Sequence, residues 1–536
     1  MERIASKVIL LWGVRRAILA ILAGALGALA LPPFSFIGAL FVSFTLLVWL
    51  MDGAASAPGT GFFARWRSNF WLGWLFGFGY FVAGLWWLGN ALLVDAEGFA
   101  WALPLAIFGL PACLAIFWGL ATWLAGCLWS DGFGRLAALA VGFGLAEWLR
   151  GFLFTGFPWN TIGYGVMPIP LMMQSAGPIG IFGVSTLAVF VLSAPALLGT
   201  RRGLAGGLTL AAVLAAAHLG YGAYRLSAAP APAPAVDAQG EQPLAVRIVQ
   251  PVIDQARKMD NSDRVSVFEE HLALSALPPK DGARRPDVII WPETSVPFIL
   301  TQNRDGLTRI GDMLSDGQIL IAGVVRAEDA VPGQPPRYYN SIYAIDSQGQ
   351  IIGAVDKVHL TPFGEYLPFE DLLNSWGIGN VVEMPGGFTA GTRHALMTLP
   401  SGRSFYPLIC YEAIFPDEIE PLVAGAAALL NVTNDGWFGD TPGPYQHFQQ
   451  ARLRAVENGI PLIRSANNGI SGVVDAFGRV EQGLALNQKG VIDATLGGSP
   501  VPVWDSYGRQ THFWLIVVAL FLIAGISRFG FKFRLN

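Results

Sequence analysis

A membrane α-helical bundle of eight spans carrying a layered α/β domain is the fold class this sequence predicts, on three observations. Of its 536 residues, 53% are hydrophobic and only 13% charged, against roughly 25% charged in a soluble chain. Charge is also unevenly spread: the first 235 residues hold eleven Lys or Arg and six Asp or Glu, and the remainder holds 23 and 32. Long apolar runs fill the first part, whereas short runs of branched residues, the signature of buried strands, mark the second.

Seven runs in the first part are long enough for a bilayer core: 17–31, 36–51, 69–91, 101–129, 135–154, 179–200 and 203–224. An eighth, 513–527, follows the charged part and precedes Arg528, Lys532 and Arg534. The first run follows Arg3, Lys7, Arg15 and Arg16 without a small-residue cleavage site and a polar start behind it, so it reads as an anchor. An N-terminus in the cytoplasm puts those four, with Arg65, Arg67, Arg135, Arg201, Arg202, Arg528, Lys532 and Arg534, on the inner side. Only Arg150 and Arg225 then stand near outer ends. The expected plan is a seven-helix membrane domain at 1–227, a Pro/Ala linker at 228–239, an outer catalytic domain at 240–508, and an eighth helix with its tail at 509–536.

Residues 236–510 hold 20 basic and 32 acidic side chains, a balance that repels nucleic acid and excludes it as a partner. Cys113 and Cys127 lie in one apolar run and read as small packed side chains. Cys410 stands alone in the outer part, so it is either a buried small residue or a working thiol.

Strand signals there are Val246–Val249, Val288–Trp291, Ile319–Val325, Ser341–Ile345, Phe405–Ile409 and Ala427–Val432, and Asp263–Ala276 and Pro444–Asn458 have helical spacing. The expectation is a layered α/β domain with a central sheet. Polar residues follow three strand signals at once: Pro292 and Glu293; Cys410, Tyr411 and Glu412; Thr433, Asn434 and Asp435. Carboxyl ends of strands are where ligand sites collect in such sheets. Lys357 and His359 precede the turn-rich Thr361-Pro-Phe-Gly-Glu-Tyr-Leu-Pro368.

A cysteine nucleophile needs a base, and the tetrahedral intermediate at an acyl carbon needs a cation or donor near its oxygen. Glu293 and Lys357 fit those roles; the bland alternative is a turn cap, a solvated charge and a packed thiol. His359 is a rival base, or a turn residue. No metal-ligand spacing stands out. Asn434 and Asp435 read as structural turn residues, and Glu147 with Arg150, one turn apart in the membrane part, as a local ion pair.

Trp-Pro-Glu293, Lys357 ahead of Phe-Gly-Glu365, and Ile-Cys410-Tyr-Glu412 resemble the Glu-Lys-Cys signature of the nitrilase, or carbon–nitrogen hydrolase, superfamily. With the spans around that domain, the whole chain resembles the bacterial apolipoprotein N-acyltransferase family. The likeness extends to Gly156-Phe-Pro-Trp159, Asn434-Asp-Gly-Trp-Phe-Gly439, Pro444-Tyr-Gln-His-Phe-Gln449, Ala451-Arg-Leu-Arg-Ala455 and Arg464-Ser-Ala-Asn-Asn-Gly469.

This resemblance implies an αββα sandwich on the periplasmic side of the inner membrane, needing neither metal nor cofactor. It implies a membrane phospholipid as acyl donor, a diacylglyceryl apolipoprotein as acceptor, and a ping-pong path through a Cys410 thioester. Glu293, Lys357 and Cys410 would be catalytic, with Glu365, Tyr411 and Glu412 in support. One departure is Met259, where the family often has Trp; a thioether supplies neither an indole donor nor a rigid face. The stretch from Tyr366 to Gly387, with Leu372, Leu373 and Trp376 at helical spacing, reads as a lid that dips into lipid, or as a buried connection. A monomer is expected. Two other functions share these residues: a membrane-tethered amidase, and a non-catalytic lipid-binding scaffold.

Overall fold

The computed structural model describes residues 1–55, 62–229, 243–259, 261–279, 284–328, 336–368, 387–419, 421–496 and 501–529. The chain forms two compact units, one of residues 1–89, 101–228 and 503–536, the other of residues 90–100 and 229–502. Nearly all of the Pro/Ala linker lies outside the described residues.

In the first unit each apolar run contributes a helix: Gly13–Gly27, Gly38–Ala55, Phe62–Leu85, Leu110–Cys127, Gly134–Arg150, Ala176–Ser193, Leu204–Ser227 and Ser506–Phe529. Among the described residues, length and composition mark six membrane-crossing segments where the sequence reading counts eight. The apolar helix Gly38–Ala54 is shorter, and the 17-residue Gly134–Arg150 carries Arg135, Glu147 and Arg150.

Small residues let these helices meet. A Cβ at Gly24 would lie 1.8 Å from the Phe76 carbonyl oxygen, and one at Gly79 would lie 2.0 Å from that of Ile21. The helices Gly13–Gly27 and Phe62–Leu85 therefore touch backbone to backbone, as dispersion-driven packing in lipid favours. Beside them the buried Trp118 has Tyr80, Phe143, Phe81 and Phe76 around it, with centroid distances from 4.6 to 5.5 Å.

Glu147 and Arg150 are both buried and form the expected ion pair at 3.9 Å. Glu147 accepts the Ile162 N–H at 3.0 Å, while Arg150 donates to the carbonyls of Phe157 and Trp159. The pair thus fixes the irregular Phe-Pro-Trp turn, whose backbone groups would otherwise lack partners in an apolar setting. The thiol of Cys127 points at the Trp123 carbonyl, but Cys113 is exposed, contrary to the packed position expected of it. A helix at the edge of an apolar bundle buries one face only, and composition does not tell which.

The second unit holds two six-stranded sheets, as the αββα resemblance implies, where the strand pattern by itself suggested one central sheet. Its strands are β1 (Leu244–Gln250), β2 (Val288–Ile290), β3 (Ile319–Ala327), β4 (Tyr338–Asp346), β5 (Ile351–Asp356), β6 (Met397–Thr398), β7 (Ser404–Ile409), β8 (Ala428–Thr433), β9 (Leu462–Ala466), β10 (Ser471–Val474), β11 (Val480–Leu484) and β12 (Gly490–Leu496). The orders are β12-β1-β2-β3-β4-β5 and β11-β10-β9-β8-β7-β6. Each sheet has a parallel centre, β1-β2-β3 in one and β7-β8-β9 in the other, with antiparallel strands outside it.

Alternation of side chains explains the layers. Val246, Ile248, Ile290, Ile321 and Ile342 face Phe405, Ile409, Leu430, Val432 and Ile463 in the core between the sheets. The other faces are covered by helices: Phe268, Leu272 and Ile310 lie on Val249, Ile289 and Leu320, and Ala451 and Ala455 lie on Tyr406, Leu408 and Leu429. The result is the four-layer αββα sandwich.

Arg247 in β1 donates to both carboxylate oxygens of Asp493 in β12, at 2.7 and 2.8 Å, and to the carbonyls of Ser275 and Leu277. One buried guanidinium therefore joins two strands and a helix end. Arg247→Met leaves Asp493 buried without its partner and is expected to cost about 3–5 kcal/mol. Arg284→Ala, which breaks a partly exposed pair with Asp287, should cost about 1 kcal/mol or less. Urea denaturation followed by limited proteolysis of the second unit measures the contrast; coincident midpoints for the two variants would refute it.

Candidate active site

Strand ends bring the chemistry together. β2 runs into Glu293, β5 into Lys357, β7 into Cys410, and β8 ends on Thr433. The connecting loops are strained: Thr294, Phe363 and Cys410 have φ of 44°, 63° and 49°. Such left-handed conformations cost about 1–3 kcal/mol each in residues bearing a β-carbon, and they persist where the surroundings hold them.

Lys357 is buried, and its Nζ lies 2.7 Å from Glu365 Oε2 and 4.0 Å from Glu293 Oε1. The Thr361 hydroxyl accepts from the same ammonium at 3.4 Å. Burial works against this cation, but the Glu365 and Glu293 carboxylates outweigh it and hold its pKa above the ordinary lysine value. Asn340 of β4 stands between the carboxylates, donating to Glu293 Oε1 at 2.8 Å and to Glu365 Oε1 at 2.7 Å. Glu365 also accepts the Thr361 N–H. One oxygen is left over: Glu293 Oε2 is buried and has no hydrogen-bond partner among the described residues. A desolvated carboxylate oxygen without a donor is poised to take a proton.

Glu412 joins the loop of Lys357 to that of Cys410. Its Oε1 accepts the N–H groups of Val358 and His359, at 2.7 and 3.1 Å, and its Oε2 accepts that of Ile409 at 2.6 Å. Burial pushes its carboxyl above the usual range, against the pull of His394, these amides and Lys357. The Cys410 thiol is pushed up as well, by burial and by Glu293, with Lys357 opposing. At rest the site therefore holds a neutral thiol beside a charged ammonium.

Lys258, in the helix Gln255–Met259, donates to the Glu293 carbonyl at 2.8 Å; burial draws its ammonium down to about 8 while Glu293 and Cys410 support it. On the β8 side, Thr433 Oγ1 is 3.3 Å from Cys410 Sγ and 3.2 Å from Asp435 Oδ1. Asp435 meets Arg464 and His447 at 2.8 Å each, and His447 Nε2 is 3.1 Å from the Cys410 carbonyl oxygen.

The structure thus gathers Glu293, Lys357, Cys410, Glu365 and Glu412 into one cluster. Tyr411 is buried beside it, its ring edge-on to Phe415 and His359. His359, the rival base, pairs with Glu418 at 2.5 Å and stacks on Phe415. Asn434 is the turn residue expected, accepting from Gly436 N–H and donating to Gln255. Asp435 is more than a turn residue, being fully buried in an ion-paired hub. The Met259 side chain and residues 369–386, with Leu372, Leu373 and Trp376, lie outside the described residues. Asn340 and Lys258 escape a reading of the sequence, though Lys258 lies inside the segment singled out for Met259; Thr433 was marked there only as one of the polar residues behind a strand signal, with no role.

Residues 245–499 match the carbon-nitrogen hydrolase family and residues 23–194 the apolipoprotein N-acyltransferase N-terminal domain. Proteins named apolipoprotein N-acyltransferase from Rhizobium rhizogenes, Agrobacterium fabrum and Rhizobium leguminosarum bv. trifolii are 64%, 62% and 64% identical to it, each over 100% of both chains. With αββα layers, a membrane unit and near-complete correspondence to these relatives, the chain belongs to the apolipoprotein N-acyltransferase family.

Proposed function

We propose that this chain moves a fatty acyl group from a membrane phospholipid, through a thioester on Cys410, to the α-amino group of the diacylglyceryl-cysteine at the start of a lipoprotein. The observation that carries the reading is the unpartnered Oε2 of Glu293, buried in the same cluster as the Lys357 ammonium and the Cys410 thiol.

In the first half-reaction Glu293 takes the thiol proton and the sulfur attacks the ester carbonyl. Lys357, with the backbone N–H that follows Cys410, stabilises the oxyanion. Collapse breaks the carbon–oxygen bond, the Glu293 carboxylic acid returns the proton to the leaving oxygen, and lysophospholipid departs. In the second, the neutral amine attacks the thioester and Glu293 accepts its proton. The carbon–sulfur bond breaks, and the proton passes to the thiolate to restore the thiol. Glu365 and Asn340 hold Lys357 and Glu293 in place throughout, and Glu412 keeps the two loops in register.

The basic residues of the connecting segments support a catalytic unit outside the cytoplasmic membrane, on the periplasmic side of a bacterial inner membrane; the chain is proposed to act as a monomer. Residues 1–227, the linker 228–239, residues 240–508 and the final helix at 509–536 are the corresponding domains.

Cys410→Ala should abolish acyl transfer while the chain still inserts and folds. Wild-type enzyme incubated with phospholipid alone should gain an acyl mass on Cys410 that hydroxylamine removes. An adduct elsewhere, or full turnover without the thiol, would overturn the mechanism.

Lys357→Met should lower the rate of thioester formation at least about a hundredfold, as for loss of one oxyanion donor. Single-turnover measurement of the acyl adduct tests this, and near-normal rates would reduce Lys357 to a structural cation.

For the orientation, an impermeant thiol reagent applied to intact spheroplasts should label Cys410, and a tag fused after Asn536 should resist external protease. Labelling only after permeabilisation, with loss of the tag, would reverse the topology.

A further inference from the structure

The nucleophile has a second polar side that the mechanism above does not use. Thr433 is fully buried at the end of β8, and its Oγ1 lies between Cys410 Sγ at 3.3 Å and Asp435 Oδ1 at 3.2 Å. A hydroxyl has one hydrogen, so it can donate to only one of these at a time. Asp435 remains a carboxylate: burial opposes its charge, but Arg464 and His447 overcome this and draw its pKa down to about 2. Against a neutral thiol the better acceptor is that carboxylate, and the hydroxyl oxygen is then free to face Sγ–H. Once the thiol proton has gone to Glu293, the sulfur becomes an anion and a strong acceptor.

We propose that Thr433 is a further catalytic residue, whose hydroxyl hydrogen turns from Asp435 to Cys410 Sγ whenever that sulfur carries negative charge. No bond to hydrogen breaks in this turn; the C–O bond rotates and one hydrogen bond replaces another. The sulfur is anionic at two points, when it attacks the ester and when the amine expels it from the thioester. Thr433 therefore assists both half-reactions, unlike a residue that serves only the entry of the lipid. Asp435 is a positioning residue: with Arg464 and His447 it parks the hydroxyl, and through His447 it reaches the carbonyl of Cys410 itself.

The proposal rests on Cys410 being the nucleophile, and the test separates the two. Alkylation of Cys410 by iodoacetamide in the solubilised full chain is followed on the Cys410 peptide across pH. This profile responds to Glu293, Lys357, Lys258, Asp435, Arg464 and His447 as well, and all six are kept. Thr433→Val keeps the shape and removes the hydroxyl. It should lower the alkylation rate at neutral pH by roughly tenfold to a hundredfold and move the profile about one to two pH units upward, since a hydrogen bond to an anion is lost. Thr433→Ser should restore both.

Release of p-nitrophenol from a p-nitrophenyl acyl ester, and amine attack on the isolated acyl-enzyme, should each slow by a similar factor. An unmoved profile, whether the rate is normal or uniformly low, overturns the proposal, as does failure of Ser to rescue. Slowing of acylation with normal aminolysis overturns the claim for the second half-reaction. If the Val variant does not fold, Thr433→Ala against Thr433→Ser gives the same comparison. Absence of an acyl adduct on Cys410 in the wild type strikes the nucleophile reading instead.

Discussion

Everything in the catalytic cluster depends on one buried ammonium. Glu293, Glu365 and Glu412 are all nearly inaccessible to water, and an isolated carboxylate loses several kcal/mol of solvation on such burial. Lys357 lies against two of them and acts electrostatically on the third. Its charge offsets a cost the fold could not otherwise bear, and the carboxylates in turn keep it protonated. Asn340 divides its two hydrogens between Glu293 and Glu365, so one oxygen of Glu293 is immobilised and the other left open. The geometry that stabilises the cation also defines the base.

Cys410 is bracketed by two polar groups with opposite behaviour. Toward β2 and β5, burial and the Glu293 carboxylate hold the proton on the Cys410 thiol, on the side where that proton must be taken and returned. Toward β8, Arg464 and His447 keep Asp435 ionised, which suits a side that must not compete for that proton. Pushing neighbouring titratable groups apart in this way is how a site assigns its acid and base roles. Glu412 bonds one loop of each sheet, so the two halves of the sandwich cannot shift without disturbing both.

Glu293 and Cys410 were legible because each follows a strand signal strong enough to read from branched residues, whereas Lys357 follows no such signal and stood out by its place ahead of Phe-Gly-Glu365. The same logic explains what was not legible. Asn340 and Arg464 lie inside strands, where alternation predicts burial but assigns no partner. β11 is exposed along nearly its whole length and β5 alternates weakly around Gly353, so neither carries a hydrophobic pattern. The strand pattern alone suggested one sheet where there are two, because a strand's own sequence states that it is buried, not which strand lies beside it; the second sheet was implied only by the resemblance. In the membrane unit, composition located a helix in each apolar run, yet Glu147 and Arg150 of Gly134–Arg150 serve a turn packed inside the unit, a purpose composition does not express.

A neutral thiol at rest is not the reactive form of a nucleophile; the thiolate is. The surroundings resolve this. A standing thiolate is open to oxidation, and no second described cysteine lies in the same unit to form a disulfide with it. The mechanism proposed above avoids that: Glu293 takes the proton as attack begins, and the Lys357 contact then stabilises the oxyanion. The cost of burying the thiol is then recovered in the transition state, where the preformed dipoles and ammonium act in a medium of low dielectric. Reactivity is kept for the moment when an acyl carbon is present.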